Sequence, residues 1–308
     1  MSATPIFDRH ARIQAWARAS AVCALLAALT LGPAAQAADG DEGDTSTGFL
    51  DYLPAAPEIR APNLDFIPFW TDDLKKGKNA YKEGDYRRAR KYFGKASEEG
   101  NLIADWYLGH MYRLGRGVDR DHAKAFSFYS RVADNYNPDE DNSNRLKIMV
   151  DGLVRVADYY RLGSKTAGIP QDFDRSIRIY KTAATYGHPA AEYALGLMHI
   201  RGQGVKKKPE LGVKWLLKSA RRRFAPAEAK LGDLYWKGDF VEASRTLALK
   251  WYILAQSTVR AEENPEIVER YRALMTEVSD EERLEAEAQA TVWSDRFPVN
   301  GNAAPPTE

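Results

Sequence analysis

From residue 73 onward, apolar positions recur with helical rather than strand spacing, and the helical stretches recur in turn on a longer lattice. Ala104, Leu108, Met111 and Tyr112 stand at i, i+4, i+7 and i+8, the spacing of one buried helix face. Ala89, Ala125, Ser176, Gly212 and Ala248 form a column of small residues separated by 36, 51, 36 and 36 positions. Three residues later a bulky column keeps the same spacing: Tyr92, Phe128, Ile179, Trp215 and Trp251. A fixed period of this length predicts stacked helix pairs, each too small to bury its own apolar face. The expectation is an all-α repeat array that works through an extended surface rather than one deep pocket.

The second unit shows the grammar of the repeat. Helix A covers 104–114 (ADWYLGHMYRL) and is closed by Gly115-Arg116-Gly117-Val118. Asp121 sits where an N-cap belongs, and helix B runs from about His122 with Ala125, Phe128 and Ala133 facing inward. Gly109, in mid-helix, costs about 1 kcal/mol relative to alanine, which predicts that another backbone approaches there. The fourth unit repeats the pattern with Leu195-Gly196, Gly202, Gly204 and Gly212; Lys208 replaces the capping Asp and Pro209 takes the first helical position. The fifth keeps Gly232, Gly238 and Ala248. About 12 extra residues, centred on 135–144, separate units two and three and read as an exposed loop. About three more lengthen the loop around 164–168. Beyond the fifth unit, Asn264-Pro265 opens another helix and Ser279 with Glu282 spells a capping box. The last helix carries Leu284, Ala288, Thr291 and Val292 on one side, expected to close the final apolar face.

These residues match the pattern A-x-x-x-L-G-x-x-Y-x-x-G-x-G-V-x-x-D-x-x-K-A-x-x-W almost in full over 104–128, with Lys124-Ala125 in the K-A slot and Phe128 in the W slot. The chain resembles the Sel1-like branch of the tetratricopeptide superfamily over roughly residues 74–256. That resemblance implies a right-handed solenoid of about five Sel1-like/TPR-like helix pairs with a C-terminal capping helix, the A helices lining its concave face. By register, the exposed positions of that face are expected to be Trp106, His110, Arg113, Asp158, Arg161, Tyr193, Asp233 and Trp236. They are the candidate partner-binding residues, since aromatic and arginine side chains anchor interfaces.

The chain ends and the charge narrow the setting. Residues 1–37 have the layout of a Sec signal peptide: Arg9, Arg12 and Arg18, an apolar run over 21–32, then Ala35-Gln36-Ala37. Cleavage after Ala37 removes Cys23, the single cysteine, and leaves no thiol for a disulfide or a nucleophile. Residues 38–72 read as an acidic, Pro-rich leader ending in an apolar patch (Leu64, Phe66, Ile67, Phe69, Trp70), 257–297 as the helical cap and 298–308 as a polar tail. The formal charge is +1 for the whole chain. Segment 1–37 carries three arginines and one aspartate, so the remainder is near −1. This balance gives no reason to expect nucleic acid or an anionic membrane surface as partner.

No catalytic constellation stands out. His110, His122, His188 and His199 do not pair at i, i+4 with another ligand. The paired glycines lie between helices rather than after a strand, so they are turn glycines and not a phosphate loop. Asp139, Glu140 and Asp141 lack EF-hand spacing. No cofactor, metal or enzymatic activity is expected. Two basic clusters, 206–208 and 221–223, read as solvated surface or as a docking patch for an acidic partner.

The signal segment, the five units, the segment Val-Ala-Asp-Tyr-Tyr-Arg at 156–161 and the cysteine-free body resemble the periplasmic regulators that repress exopolysaccharide production in rhizobia. That resemblance implies a periplasmic, non-enzymatic protein that binds the periplasmic domain of a membrane sensor histidine kinase and holds it off. The alternative expectation is an adaptor or scaffold for envelope polysaccharide export or peptidoglycan machinery.

Overall fold

The computed structural model describes residues 72–259 and 264–299. The expected signal segment, Cys23, the leader with its apolar patch up to residue 71, and residues 300–308 of the tail lie outside the described residues. Among the described residues twelve helices follow one another: α1 (Asp72–Lys82), α2 (Tyr86–Glu98), α3 (Leu102–Leu114), α4 (His122–Asp134), α5 (Ser143–Leu162), α6 (Phe173–Thr185), α7 (Pro189–Arg201), α8 (Pro209–Ala220), α9 (Ala225–Lys237), α10 (Arg245–Gln256), α11 (Pro265–Glu277) and α12 (Asp280–Arg296). The first ten form five A–B pairs, and each pair packs on the next. Among the described residues there is no strand, only a bridge between Ser164 and Ile169 that closes the longer third-unit loop.

Helix ends follow from local chemistry. Asp85, Asp121, Asp172 and Ser244 each accept a hydrogen bond from the backbone N–H three residues on, at 2.8–3.2 Å, and so cap α2, α4, α6 and α10. Lys208 makes no such bond, and α8 relies on Pro209 at its first position. Gly115, Gly202 and Gly238 end α3, α7 and α9 in the left-handed conformation. Gly117 (φ 68°) adds a close approach, since a Cβ there would lie 2.5 Å from the Tyr86 carbonyl carbon.

The core differs from the expected columns by one residue. The small column (Ala89, Ala125, Ser176, Gly212, Ala248) is buried. Of the bulky column only Trp251 is; Tyr92, Phe128, Ile179 and Trp215 are half-buried, as is Ala133. In units one to four the deepest side chains are the next ones along, Phe93, Tyr129, Tyr180 and Leu216, and in unit five Tyr252 is buried beside Trp251. The reason is helical: i+4 from the small residue stays on the stripe facing helix A, whereas i+3 falls to its edge. In four units this side chain lies over a helix A glycine. Gly77 faces Phe93, Gly109 faces Tyr129, Gly196 faces Leu216 and Gly232 faces Tyr252, each with less than 3.0 Å for an added Cβ. At Gly109 the neighbour is therefore an aromatic ring rather than the expected backbone.

The insertion between units two and three is only partly a loop. It ends at Asn142, which caps α5, and its remainder extends α5 to 20 residues. Glu140, within the acidic stretch, pairs with Arg145 at 3.3 Å. At the C-terminal end the Ser279/Glu282 capping box is formed. However, α12 turns Leu284, Thr291 and Val292 to solvent and leaves Ala288 half-buried. It packs instead through Ala286, Ala290 and Trp293, whose indole meets Trp251 edge-on at 4.9 Å. Trp251 and Arg223 decide this register. Arg223 is buried and donates to Glu228 (2.8 Å), Ser257 (2.9 Å), Ser294 (3.2 Å) and the Leu254 carbonyl (3.3 Å), so it ties α9, α10 and α12 together.

Two measurements test this packing. Gly109→Ala should destabilise by about 1–3 kcal/mol in urea unfolding, because the added methyl overpacks against Tyr129; helix propensity alone would make the change stabilising. Burial pushes the Glu228 carboxyl up to about 7 against the opposing pull of Arg223. Between about pH 4.5 and 7 the folded chain therefore keeps a proton that the unfolded chain has released. Glu228's contribution to stability is full at the acid end of this window and falls by roughly 3 kcal/mol as pH rises across it. Glu228→Gln should remove that slope from the stability–pH curve.

Candidate partner-binding face

Between the second and third units the A helices meet, α3 contacting α5 directly. This face carries charge at helical spacing on α5: Asp151, Arg155, Asp158 and Arg161 at i, i+4, i+7 and i+10. All four are buried. Asp151 is the centre. It accepts from Trp106 Nε1 (2.6 Å), Arg155 Nε (3.2 Å) and Arg155 Nη2 (3.1 Å), and His188 Nε2 lies 3.3 Å away. Burial alone raises a carboxyl, but here the Arg155 charge and His188 hold Asp151 well below the usual carboxylate range. Asp158 continues the chain, 3.9 Å from Arg155 Nη1 and 3.5 Å from Arg161 Nη2. The Tyr180 hydroxyl donates to Asp158 and accepts from Arg161 Nε at 3.1 Å.

Aligning the units explains these partners. Gly109, His110, Arg113 and Tyr129 of unit two correspond to Ala157, Asp158, Arg161 and Tyr180 of unit three, and to Gly232, Asp233, Trp236 and Tyr252 of unit five. In units three and five the aspartate on helix A accepts the tyrosine hydroxyl from helix B; the Tyr252–Asp233 bond is 2.7 Å. Unit four replaces the tyrosine with Leu216, over the apolar Leu197 and Ile200. In unit two the aspartate's place is taken by His110. Its Nδ1 lies 2.9 Å from the Trp106 carbonyl and so carries the proton, and burial together with Arg155 and Arg113 lowers its pKa to about 3. The ring is neutral at any ordinary pH.

The eight residues expected to be exposed divide into two groups. His110, Arg113, Asp158 and Arg161 are buried, which corrects that expectation; Arg113 and Arg161 follow Gly109 and Ala157 by four positions and so lie on the stripe that faces helix B. Trp106, Tyr193, Asp233 and Trp236 are half-buried. Tyr193 packs edge-on to Phe224 at 5.7 Å, while Trp236 has Arg270 and Arg245 over its ring at 5.0 and 5.5 Å. The basic cluster at 221–223 is mostly committed within the fold: Arg223 is the buried tie to α12, and Arg222 pairs with the buried Glu192 at 3.1 Å, as does Lys218. Lys206, Lys207 and Lys208 are exposed. Sequence reasoning missed Asp151, Arg155 and His188; the charge stripe Asp151/Arg155/Asp158/Arg161 was the available signal, hidden because the first two fall before the repeat motif resumes.

Among the described residues no group of three or more His, Cys, Asp or Glu is placed to hold a metal ion, and no helix is long and apolar enough to cross a membrane. The face holds a buried, hydrogen-bonded polar seam edged by half-buried aromatics.

An array of α-helical pairs with a glycine-for-ring contact in most of them defines a helical-repeat protein. A family model of the Sel1 repeat matches residues 75–101, 102–137, 150–188, 189–223 and 225–255, more than half of the chain, and the chain belongs to that family. Repeats of this kind are protein-interaction scaffolds. Two relatives are described as exopolysaccharide production negative regulators. One, from Rhizobium leguminosarum bv. viciae, is 31% identical over 179 residues, 58% of this chain and 66% of the relative. The other, from Rhizobium meliloti (strain 1021), is 28% identical over 165 residues, 53% of this chain and 61% of the relative. The matched stretch thus spans less than two thirds of each of these relatives. A solved structure of a Sel1 repeat protein from Oxalobacter formigenes superposes with a TM-score of 0.51 at 24% identity, over 73% of this chain and 86% of that one, a likeness of fold.

Asp151→Ala should cost about 3–5 kcal/mol in chemical denaturation at pH 7, because it strands Arg155 in the interior. Since the folded carboxyl titrates below the unfolded one, this contribution is present above about pH 4 and is lost only as pH falls toward the lower, folded value. The difference between wild type and Asp151→Asn should therefore persist at pH 5 and shrink in stronger acid.

Proposed function

We propose that this protein is a periplasmic negative regulator of exopolysaccharide production that acts without turnover, by binding the periplasmic domain of a membrane sensor histidine kinase. The observation that carries the reading is that the similarity to the two named negative regulators falls on a chain built of Sel1 repeats, a scaffold for protein contacts. The signal-peptide layout of residues 1–37 supports export by the Sec route. The proposed contact surface is the A-helix face, where Trp106, Tyr193 and Trp236 present aromatic surface while Arg113, Asp158 and Arg161 form its polar floor.

In-cell crosslinking of the tagged protein followed by mass spectrometry should recover a sensor kinase, and deletion of the gene should raise exopolysaccharide. Recovery of polysaccharide-export or cell-wall enzymes in place of a kinase, with exopolysaccharide unchanged on deletion, would retire this reading in favour of an envelope scaffold.

A further inference from the structure

Unit two of the A-helix face lacks a charge that units three and five contain. In units three and five an aspartate meets the helix B tyrosine, and in unit three it also meets the arginine three residues further on. Unit two keeps the tyrosine and the arginine but has neutral His110 where the aspartate would stand. Three polar groups are left over. Arg113 is 3% exposed, and its Nε and Nη2 have no aligned hydrogen-bond partner among the described residues. The Tyr129 hydroxyl interacts with Arg113 but is otherwise unpartnered among the described residues. So is His110 Nε2, on a ring whose centroid is 5.2 Å from that of Tyr129. The nearby carboxylates are engaged elsewhere: Asp151 by Trp106, Arg155 and His188, and Asp158 by Arg161 and Tyr180. A buried guanidinium without a counter-charge is costly, and a carboxylate supplied by a ligand would relieve that cost with paired, charge-assisted hydrogen bonds.

We infer that Arg113 and Tyr129, beside the neutral His110, form a receptor site for a single carboxylate side chain, an Asp or Glu presented by a protein partner on the A-helix face. The bound oxygens would accept from Arg113 and Tyr129, reproducing the Asp158–Arg161–Tyr180 arrangement of the next unit. Trp106, half-buried and 4.0 Å from the His110 ring, lies at the edge of the site and favours a polypeptide over a free anion. The inference rests on the interaction-module reading but not on the identity of the partner.

The test follows the Arg113 Nε–H resonance of the full chain by NMR during titration with N-acetyl-glutamate amide, N-acetyl-glutamine amide and glucuronate. A saturable shift with the glutamate compound, absent with the glutamine one, is the expected result. A shift with glucuronate alone would overturn the assignment in favour of an acidic sugar. No shift with any probe, together with a resolved contact from Nε–H to a long-lived internal water, would reduce the site to a hydration pocket and overturn it as well. His110→Asp provides the missing carboxylate from within. It should move the Arg113 resonance in the absence of probe and abolish the response to probe, and it should weaken capture of the crosslinked partner about 30-fold. If the glutamate compound binds but no kinase is recovered, the proposed function fails and the site stands; if a kinase is recovered equally by wild type and His110→Asp, the site fails and the function stands.

Discussion

The helix pairs depend on one contact: a side chain from helix B, four residues past the small column, seated where helix A has no side chain. With less than 3.0 Å for an added Cβ at Gly77, Gly109, Gly196 and Gly232, the two helices meet at a distance that only glycine permits. This seat fixes the rotation of helix B about its axis, and so decides which residues face the core and which fall to its edge. It explains why Phe93 and Tyr129 are fully buried while Tyr92 and Phe128 are not. The rotation also aims the helix B hydroxyls at the A-helix face, where the polar seam forms.

That seam is the other constraint on the middle of the array. Asp151 draws together α3, α5 and the start of α7, and Asp158 joins α5 to α6. Such pairs add little to stability relative to an apolar core, but each member is expensive to leave alone. Units three and five satisfy their tyrosines with an aspartate, and unit four avoids the problem with Leu216, Leu197 and Ile200. Unit two does neither. The difference arises from one position, His110 against Asp158 and Asp233, in repeats that are otherwise alike.

At the C-terminal end the same economy holds with different residues. Arg223, at a positive φ of 58°, bridges Glu228, Ser257 and Ser294. Its backbone turn brings the guanidinium inward at the end of α8, so one residue of an apparently basic surface run becomes the tie that seats α12. The near-neutral titration of Glu228 follows from enclosing that tie beneath the last helix.

Much of the fold was legible in the sequence. The period, the helix A glycines, the Asp121 cap, the turn at Gly115 and Gly117 and the Ser279/Glu282 box are local signals, because caps, left-handed turns and close approaches each demand particular residue types. The length of α5 was less legible, since its first turns lie in an insertion without repeat spacing. The candidate face was read by register, which placed Arg113 and Arg161 on the right helices but not on the right side. The sequence by itself determined a helical-repeat array with its units and boundaries, because each repeat must hide the same stripe. Only the tertiary structure decided which side chains that stripe contains, how buried charges pair across α3, α5 and α7, and that unit two is left one carboxylate short. These outcomes depend on the rotation of each helix against its neighbours and on long side chains reaching residues as far apart in sequence as Trp106 and Asp151.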